Sequence, residues 1–185
     1  MLSAGNPKQA WVGNLNGRRF TLMASMGFDA TVVDGVNLRL KKMFGKGAYV
    51  FSACQQWATF TSNVLTVEVD GHRIEALGVI VTKARSYGGR FTIAPDLRIT
   101  DPMLHVILIS RSRRSDLLRY ASALVRHSLH KQRHIRIIPA QHVTISGSST
   151  SPIQVDGDIL ARGSASISVD PIPLMLMTGD GYPSV

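Results

Sequence analysis

Three two-residue turn signals constrain the fold of this chain more than any other feature of its sequence. Asn16-Gly17, Asp70-Gly71 and Asp156-Gly157 each stand between short runs of apolar residues. These residue pairs favour the type I′ turn, in which both central residues need a positive φ. Because the twist of this turn matches the twist of the strands it joins, the sequence predicts three β-hairpins.

Short segments with strand character recur along the rest of the chain. Leu65, Val67 and Val69 alternate with polar residues, which is the period of a half-buried strand. Comparable segments cover residues 11–15, 19–26, 74–82, 91–94, 104–109, 135–138, 142–145, 153–155, 159–161, 165–169 and 173–177. No strand–helix alternation of the kind that builds a parallel sheet is present. The fold class predicted is therefore mainly β (α+β), an antiparallel β-sandwich or split barrel of about ten short strands with two or three peripheral helices.

Helical spacing is confined to three segments. The first places Val32, Val33, Val36 and Leu40 on one face, and the second is Ala48–Thr59. In the third, Ser115 is the predicted N-cap, with Asp116 in the first turn, and the apolar face runs to Leu129.

The length of 185 residues suits one domain over residues 1–185, with a frayed tail at 180–185. The chain contains neither a signal-peptide pattern nor an apolar run near the ~20 residues of a membrane span. A single cysteine, Cys54, cannot form a disulfide within the chain and fits a reducing compartment. We therefore expect a cytoplasmic location, with peripheral contact to a membrane as an open alternative.

Basic residues outnumber acidic ones by 21 to 12, which gives a formal net charge of +9. Such an excess attracts polyanions, and its densest part runs from Arg111 to Arg136. Nucleic acid is a disfavoured partner because aromatic residues are not interleaved with these charges. An anionic membrane surface stays open, since each Lys or Arg near it contributes on the order of 1 kcal/mol.

Phosphate-binding glycine motifs are missing from this sequence. It contains no G-x-x-x-x-G-K-[ST] and no G-x-G-x-x-G between a strand and a helix, so no nucleotide-binding residues are predicted within it. Two acidic bends remain, Asp101-Pro102 and Asp156-Gly157-Asp158. Both fit ordinary turns, in which an aspartate bonds nearby backbone N–H groups. The residues alone leave open whether either bend also serves chemistry.

The order of the motifs resembles the C-terminal domain of lipid kinases of the diacylglycerol kinase and sphingosine kinase type. NLNGRRFTLMASMGFDATVV resembles the strand–turn–strand of that family, which ends in Gly-Phe-Asp-Ala. GVIVTKARSYGGRFTIAPDLRITDPMLHVILI resembles its strand, Tyr-Gly-Gly, short strand into Ala-Pro, and turn into a further strand. IQVDGDIL resembles its Asp-Gly-Glu bend, and ISVDPIPLMLM its closing strand.

The resemblance implies a β-rich sandwich that binds a lipid such as diacylglycerol and closes over a nucleotide cleft. In that family a preceding domain carries a Gly-Gly-Asp-Gly-Thr loop for ATP, which nothing in this sequence matches. ATP would therefore be a cofactor only through a missing domain, and the chain alone should be catalytically silent. The implied protein is a fragment, a truncated product or a homologue that kept only the second domain.

The resemblance also implies roles for particular residues. Asp158 stands where the family has its proposed general base, and Asp101 where it has a structural Mg²⁺ ligand, with backbone carbonyls of Arg98 and Met103 completing the shell. The sequence departs from the family pattern at three positions, with Asp158 for glutamate, Pro102 for glycine and Lys83 for asparagine.

Two other functions are left open by the residues. The first is a non-catalytic β-sandwich module that binds anionic lipid or a protein partner. The second is a nucleic-acid-binding β domain, which rests on charge alone. An uncovered apolar face would in addition favour a homo-oligomer.

Overall fold

The computed structural model describes residues 7–35, 57, 61–87 and 90–177. Two α-helices lie in this part, α1 (Phe28–Asp34) and α2 (Arg114–Val125), followed by one 3₁₀ turn (Leu129–Lys131). The strands are β1 (Pro7–Ala10), β2 (Gly13–Leu15), β3 (Arg18–Phe20), β4 (Met23–Met26), β5 (Leu65–Val69), β6 (His72–Ala76), β7 (Gly78–Thr82), β8 (Ser86–Tyr87), β9 (Phe91–Thr92), β10 (Leu104–Ile109), β11 (Ile135–Ala140), β12 (His142–Ser146), β13 (Pro152–Val155), β14 (Asp158–Arg162), β15 (Ser164–Val169) and β16 (Leu174–Met177).

Two six-stranded sheets form the body of the fold. The first sheet has the order β11-β10-β7-β4-β13-β14, and the second has the order β3-β2-β15-β12-β5-β6. Their neighbouring strands pair antiparallel. Two short ribbons, β1-β16 and β8-β9, accompany the sheets. The predicted mainly β, sandwich-like antiparallel fold is confirmed.

The core between the sheets follows from the period-2 pattern of the strands. Val67 and Val69 of the second sheet meet Val79 and Val81 of the first in one buried cluster. A second cluster covers the other face of the first sheet, where Leu117 and Tyr120 of α2 pack on Ile107. The first sheet is thus covered on both faces, which explains why all five residues of β7 are buried.

At four points the chain passes from one sheet to the other with only one or two residues between the strands. It changes sheet at Thr21-Leu22 between β3 and β4, at Leu77 between β6 and β7, at Gln141 between β11 and β12, and at Gly163 between β14 and β15. The prediction of single strands over 19–26 and 74–82 was therefore wrong, because apolar periodicity carries no mark of the corner where a strand leaves one sheet for the next. With this division, and with β1 and β8, which were not predicted, the described strands number sixteen.

The three predicted hairpin turns are present with the expected backbone. Asn16, Asp70 and Asp156 have φ values of 50°, 46° and 49°, and the glycines that follow them have φ values of 89°, 84° and 93°. Two of the aspartates do more than turn the chain. Asp70 accepts hydrogen bonds from the backbone N–H groups of Gln141 and His142 at one sheet-changing corner, and Asp156 serves the Thr21–Met23 corner in the same manner.

The helix predictions were correct in place but not in detail. Helix α1 is confirmed over Phe28–Asp34. Helix α2 begins at Arg114 rather than after Ser115, because the Asp116 carboxylate accepts the N–H of Arg113 and makes Arg113 the N-cap. It ends at Val125, short of Leu129, since His127 has a φ of 54°. Val36, Leu40, most of Ala48–Thr59, Cys54 and the 180–185 tail lie outside the described residues.

Membrane-spanning helices are not found in the part of the chain that the structure describes, where no helix is long and apolar enough.

Asp170 is a buried carboxylate that fastens the β2–β3 hairpin to the chain after β15. It accepts hydrogen bonds from Arg19 Nε and Nη2 at 2.9 and 2.7 Å, from Asn14 Nδ2 at 3.1 Å and from the N–H of Ile172 at 3.0 Å. Its pKa is lowered from 3.8 to about 2, chiefly by the hydrogen bond from Arg19.

This carboxylate should make the fold acid-sensitive in a defined window. A carboxyl whose pKa is lowered on folding stabilises the fold above its unfolded pKa near 3.8, and this contribution is lost as the pH falls towards about 2. We expect the free energy of unfolding, from urea titrations between pH 4 and pH 2, to fall more steeply for the wild-type chain than for Asp170→Asn. Parallel curves would contradict the assignment.

Candidate functional site

The bend between β13 and β14 carries two carboxylates, those of Asp156 and Asp158. Asp156 and Gly157 form the turn, and Asp158 is the first residue of β14. Asp156 and Asp158 are both exposed. The contacts of the Asp156 carboxylate assign it a structural task.

The Asp156 carboxylate is saturated by backbone donors of the Thr21–Met23 corner. Its Oδ1 accepts the N–H groups of Leu22 and Met23, both at 2.9 Å, and its Oδ2 accepts the N–H of Thr21 at 2.9 Å. The hydroxyl of Thr21 lies 3.2 Å from the same Oδ2. In addition, the N–H of Asp156 donates to the Met23 carbonyl at 2.9 Å. Asp156 therefore holds the bend against the neighbouring strand.

The bend is supported from inside the sheet by a polar chain. The N–H of Gly157 donates to Gln154 Oε1 at 2.9 Å, and Gln154 Nε2 donates to Asp29 Oδ2 at 3.2 Å. Gln154 is only 2% exposed. The Asp29 carboxylate also accepts hydrogen bonds from the hydroxyls of Ser25 and Tyr87. A buried amide with both ends bonded fixes the orientation of the turn that carries Asp158.

Three of the sequence motifs meet in this network. Asp29 comes from Gly-Phe-Asp-Ala, Tyr87 from Tyr-Gly-Gly, and Gly157 from the Asp-Gly-Asp bend. From the sequence, Asp156 was expected to form a turn, whereas no role was predicted for Asp29 or Gln154. A signal was present, since polar residues inside otherwise apolar strands usually have a buried partner.

The predicted metal loop, Arg98–Met103, lies at a different place in the fold. The N–H of Asp101 donates to the Arg98 carbonyl at 3.1 Å, which closes a turn, and the N–H of Trp11 donates to the Ile99 carbonyl at 2.9 Å. The carbonyl oxygens of Asp101 and Met103 converge on the side-chain ammonium of Lys83, at 2.6 and 2.8 Å from Nζ. The loop is thus closed around a cationic group of the chain itself.

Lys83 is fully buried, with an exposed fraction of 0%. Burial lowers the pKa of its ammonium from 10.5 to about 8, and the charge of Asp101 partly opposes that shift. The ammonium therefore stays mostly protonated at neutral pH. Its neighbour His105 shows the matching effect, because burial and then the charge of Lys83 lower the pKa of the imidazole.

The oxygen atoms of the loop Arg98–Met103, as they are arranged in this structure, do not fit a divalent cation. Mg²⁺ requires oxygen ligands at about 2.0–2.1 Å in an octahedron, and Ca²⁺ at about 2.3–2.6 Å. Two carbonyls of the loop instead accept hydrogen bonds from Lys83 Nζ, and the Arg98 carbonyl accepts one from Asp101. No group of three or more His, Cys, Asp or Glu side chains arranged for a metal occurs among residues 7–35, 57, 61–87 and 90–177. The roles of Asp101, Arg98 and Met103 as ligands stay a prediction.

The two predicted sites are separate in space. Along the first sheet, β14, β13, β4 and β7 are consecutive neighbours, with Asp158 at the start of β14 and Lys83 directly after β7. Three strand spacings of about 4.8 Å separate β14 from β7 by roughly 14 Å. They are connected through Leu22, whose N–H donates to Asp156 and whose carbonyl accepts the N–H of Lys83 at 2.9 Å. Leu22 therefore links Lys83, the residue that follows β7, to the bend that carries Asp158.

Comparisons with known proteins agree with this architecture. The sequence profile of the YegS C-terminal NAD kinase beta sandwich-like domain matches residues 23–178. A diacylglycerol kinase of Bacillus subtilis (strain 168) is 25% identical over 149 residues, which are 80% of this chain and 49% of that protein. The chain thus spans about half the length of this curated relative.

Solved structures from Bacillus anthracis str. Sterne share the fold. One is described as a candidate diacylglycerol kinase and superposes with a TM-score of 0.68 at 16% identity, over 89% of this chain and 54% of that one. Another, described as a diacylglycerol kinase, has a TM-score of 0.64 at 17% identity with the same coverage. The profile match covers most of the chain, and this chain belongs to the family of the YegS C-terminal NAD kinase beta sandwich-like domain.

Proposed function

We propose that this chain is the C-terminal, lipid-facing half of a diacylglycerol kinase-like enzyme, with Asp158 as its general base. The observation that supports this most directly is the position of Asp158, an exposed residue at the start of β14, on a bend that Asp156 bonds to the neighbouring strand. The similarity to diacylglycerol kinases supplies the reaction class, the ATP-dependent phosphorylation of a lipid hydroxyl.

In this reaction Asp158 would accept the proton of the lipid hydroxyl as its oxygen attacks the γ-phosphorus of ATP. The bond from the γ-phosphorus to the oxygen bridging the β-phosphate breaks, ADP leaves, and the phosphoryl group stays on the lipid. A positioned base contributes typically 10²–10⁴-fold to such a step. Positioning and charge neutralisation supply most of the rest, and they would come largely from the groups that hold the nucleotide.

Aspartate is one methylene shorter than the glutamate of the family pattern, so the position of the bend matters. A displacement of about 1 Å in a reacting group can lower a rate on the order of a hundredfold. The hydrogen bonds of Asp156 and Gln154 hold the turn from two sides, which suits a short base that has little freedom to adjust.

The phosphate donor, with any magnesium ion that accompanies it, would be held by a part of the enzyme that lies outside this sequence. We expect purified residues 1–185 to show no ATP-dependent phosphorylation of diacylglycerol in mixed micelles. Fusion to the part of the Bacillus subtilis relative that this chain does not cover should produce turnover. Turnover by residues 1–185 alone would contradict this division between two halves. A folded but inert fusion would favour a binding module instead.

A non-catalytic module for anionic lipid or a protein partner is the second candidate. It is favoured by the segment after β15, where Ile172, Met175 and Met177 are 63%, 57% and 69% exposed, in a chain with a net charge of +9. Exposed apolar groups on a chain of net positive charge suit a membrane surface, and they also suit self-association. Sedimentation with anionic vesicles but not with phosphatidylcholine vesicles, together with an inert fusion, would support this function. Steeply salt-dependent binding to DNA or RNA would instead support a nucleic-acid partner.

A further inference from the structure

The loop Arg98–Met103 has the backbone arrangement of a cation site, in which carbonyl oxygens of nearby residues point at one centre. The oxygens of Asp101 and Met103 lie 2.6 and 2.8 Å from that centre, which is Lys83 Nζ. The short distances are those of charge-assisted hydrogen bonds from an ammonium to a carbonyl. The neighbouring Asp101 carboxylate adds an attractive charge.

Burying an ammonium group costs free energy unless the group is hydrogen-bonded, so the burial of Lys83 requires compensating interactions. The two carbonyls supply these interactions, and the carbonyls in turn gain a hydrogen-bond donor. Without a positive group at that place, both half-buried carbonyls would lose the hydrogen bond that Lys83 donates. Lysine and loop therefore stabilise each other.

A divalent cation cannot join this arrangement. An ion within ligand distance of the same two carbonyls would stand next to Nζ, so the two positive centres would overlap and repel. The loop accommodates either the ammonium or the metal ion.

We propose that Lys83 acts as a tethered cation that organises the loop Arg98–Met103, so that this domain folds without a divalent metal ion at that loop. The cation is structural rather than catalytic, since it follows β7, which roughly 14 Å of strand spacing separates from β14 and Asp158. Its effect on the bend passes through Leu22, which bonds both Lys83 and Asp156. The inference concerns folding and holds whether the domain is catalytic or a binding module.

The test compares thermal unfolding with and without metal. The melting temperature of the wild-type chain should change by less than about 1 °C between 5 mM EDTA and 10 mM MgCl₂. Lys83→Met keeps the length of the side chain but removes its charge and donors, so it should melt roughly 5–10 °C lower in both buffers. Lys8→Met, the same change at an exposed position of β1, should melt within about 1 °C of the wild type.

Lys83→Asn is the decisive variant because it vacates the space of the ammonium. It should melt below the wild type in EDTA and regain at least half of that loss in 10 mM MgCl₂ or CaCl₂. Absence of any metal response would overturn the proposal, because the carbonyls would then not form a cation site. If Lys83→Asn does not fold, Mn²⁺ titration of the wild type by electron paramagnetic resonance decides. No bound Mn²⁺ below about 1 mM is expected, and one Mn²⁺ per chain that disappears in Asp101→Asn would overturn the proposal.

Discussion

Replacing Asp158 with asparagine should lower the turnover of the fused enzyme by at least about a hundredfold. The amide has nearly the shape of the carboxylate but cannot accept the proton of the lipid hydroxyl, so the loss measures general-base catalysis. Because the step affected is chemical, we expect kcat to fall while KM for diacylglycerol changes little. The measurement is the initial rate of ³²P transfer from ATP to the lipid, with the melting temperature recorded for each variant.

Two companion variants separate base catalysis from other effects. Glu75→Gln removes one negative charge at an exposed position of β6, in the other sheet, and should leave kcat within about twofold. Asp158→Glu restores a carboxylate one methylene longer, as in the family pattern, and should keep at least about a tenth of the wild-type rate. A rate for Asp158→Asn close to that of Glu75→Gln would exclude Asp158 as the base. The proposal would then reduce to lipid binding.

The β-hairpins were predictable because their signal is local. A turn in which two successive residues have positive φ admits few residue types, and Asn16-Gly17, Asp70-Gly71 and Asp156-Gly157 all belong to that set. The sheet-changing corners were not predictable from periodicity. Leu77 lies between β6, which pairs with its hairpin partner β5, and β7, which pairs with the sequence-distant strands β4 and β10. Pattern alone thus gives the hairpins but not their distribution between the two sheets.

The site was predictable only in its outline. The resemblance pointed to Asp158 and to the loop around Asp101. In the structure, Asp158 lies on a bend that hydrogen bonds fix to the neighbouring strand, and Asp101 lies in a loop closed around Lys83. The resemblance did not reveal that Asp156 bonds the Thr21–Met23 corner across more than 130 residues of sequence. The resemblance also did not reveal that Lys83 fills the loop, because a single lysine after an apolar strand is normally predicted to be a surface residue. Both contacts depend on tertiary packing, which one sequence does not encode locally.

The second large effect is expected at Gly27, the residue between β4 and α1. Gly27 has φ 115° and ψ −147°, a region of backbone space that is essentially confined to glycine. A Cβ there would lie 2.9 Å from Gly78 Cα and 3.1 Å from the Leu77 carbonyl oxygen. Both atoms are backbone at a sheet-changing corner, so neither can rotate away. The carbonyl of Gly27 also accepts the N–H of Thr31, which ties this position to the start of α1.

Gly27→Ala should therefore destabilise the fold by about 4 kcal/mol, from backbone strain and overpacking together. That corresponds to a melting temperature roughly 8–16 °C lower in a chain of this size. Gly17→Ala is the matched control, because Gly17 also has a positive φ, 89°, but a Cβ there meets nothing within 4 Å. It measures the cost of a positive φ in a turn without a steric contact, about 1 kcal/mol. Equal losses in the two variants would show that the contact with the Leu77-Gly78 corner is not tight, and that Asp29, two residues further on, is positioned by its hydrogen bonds alone.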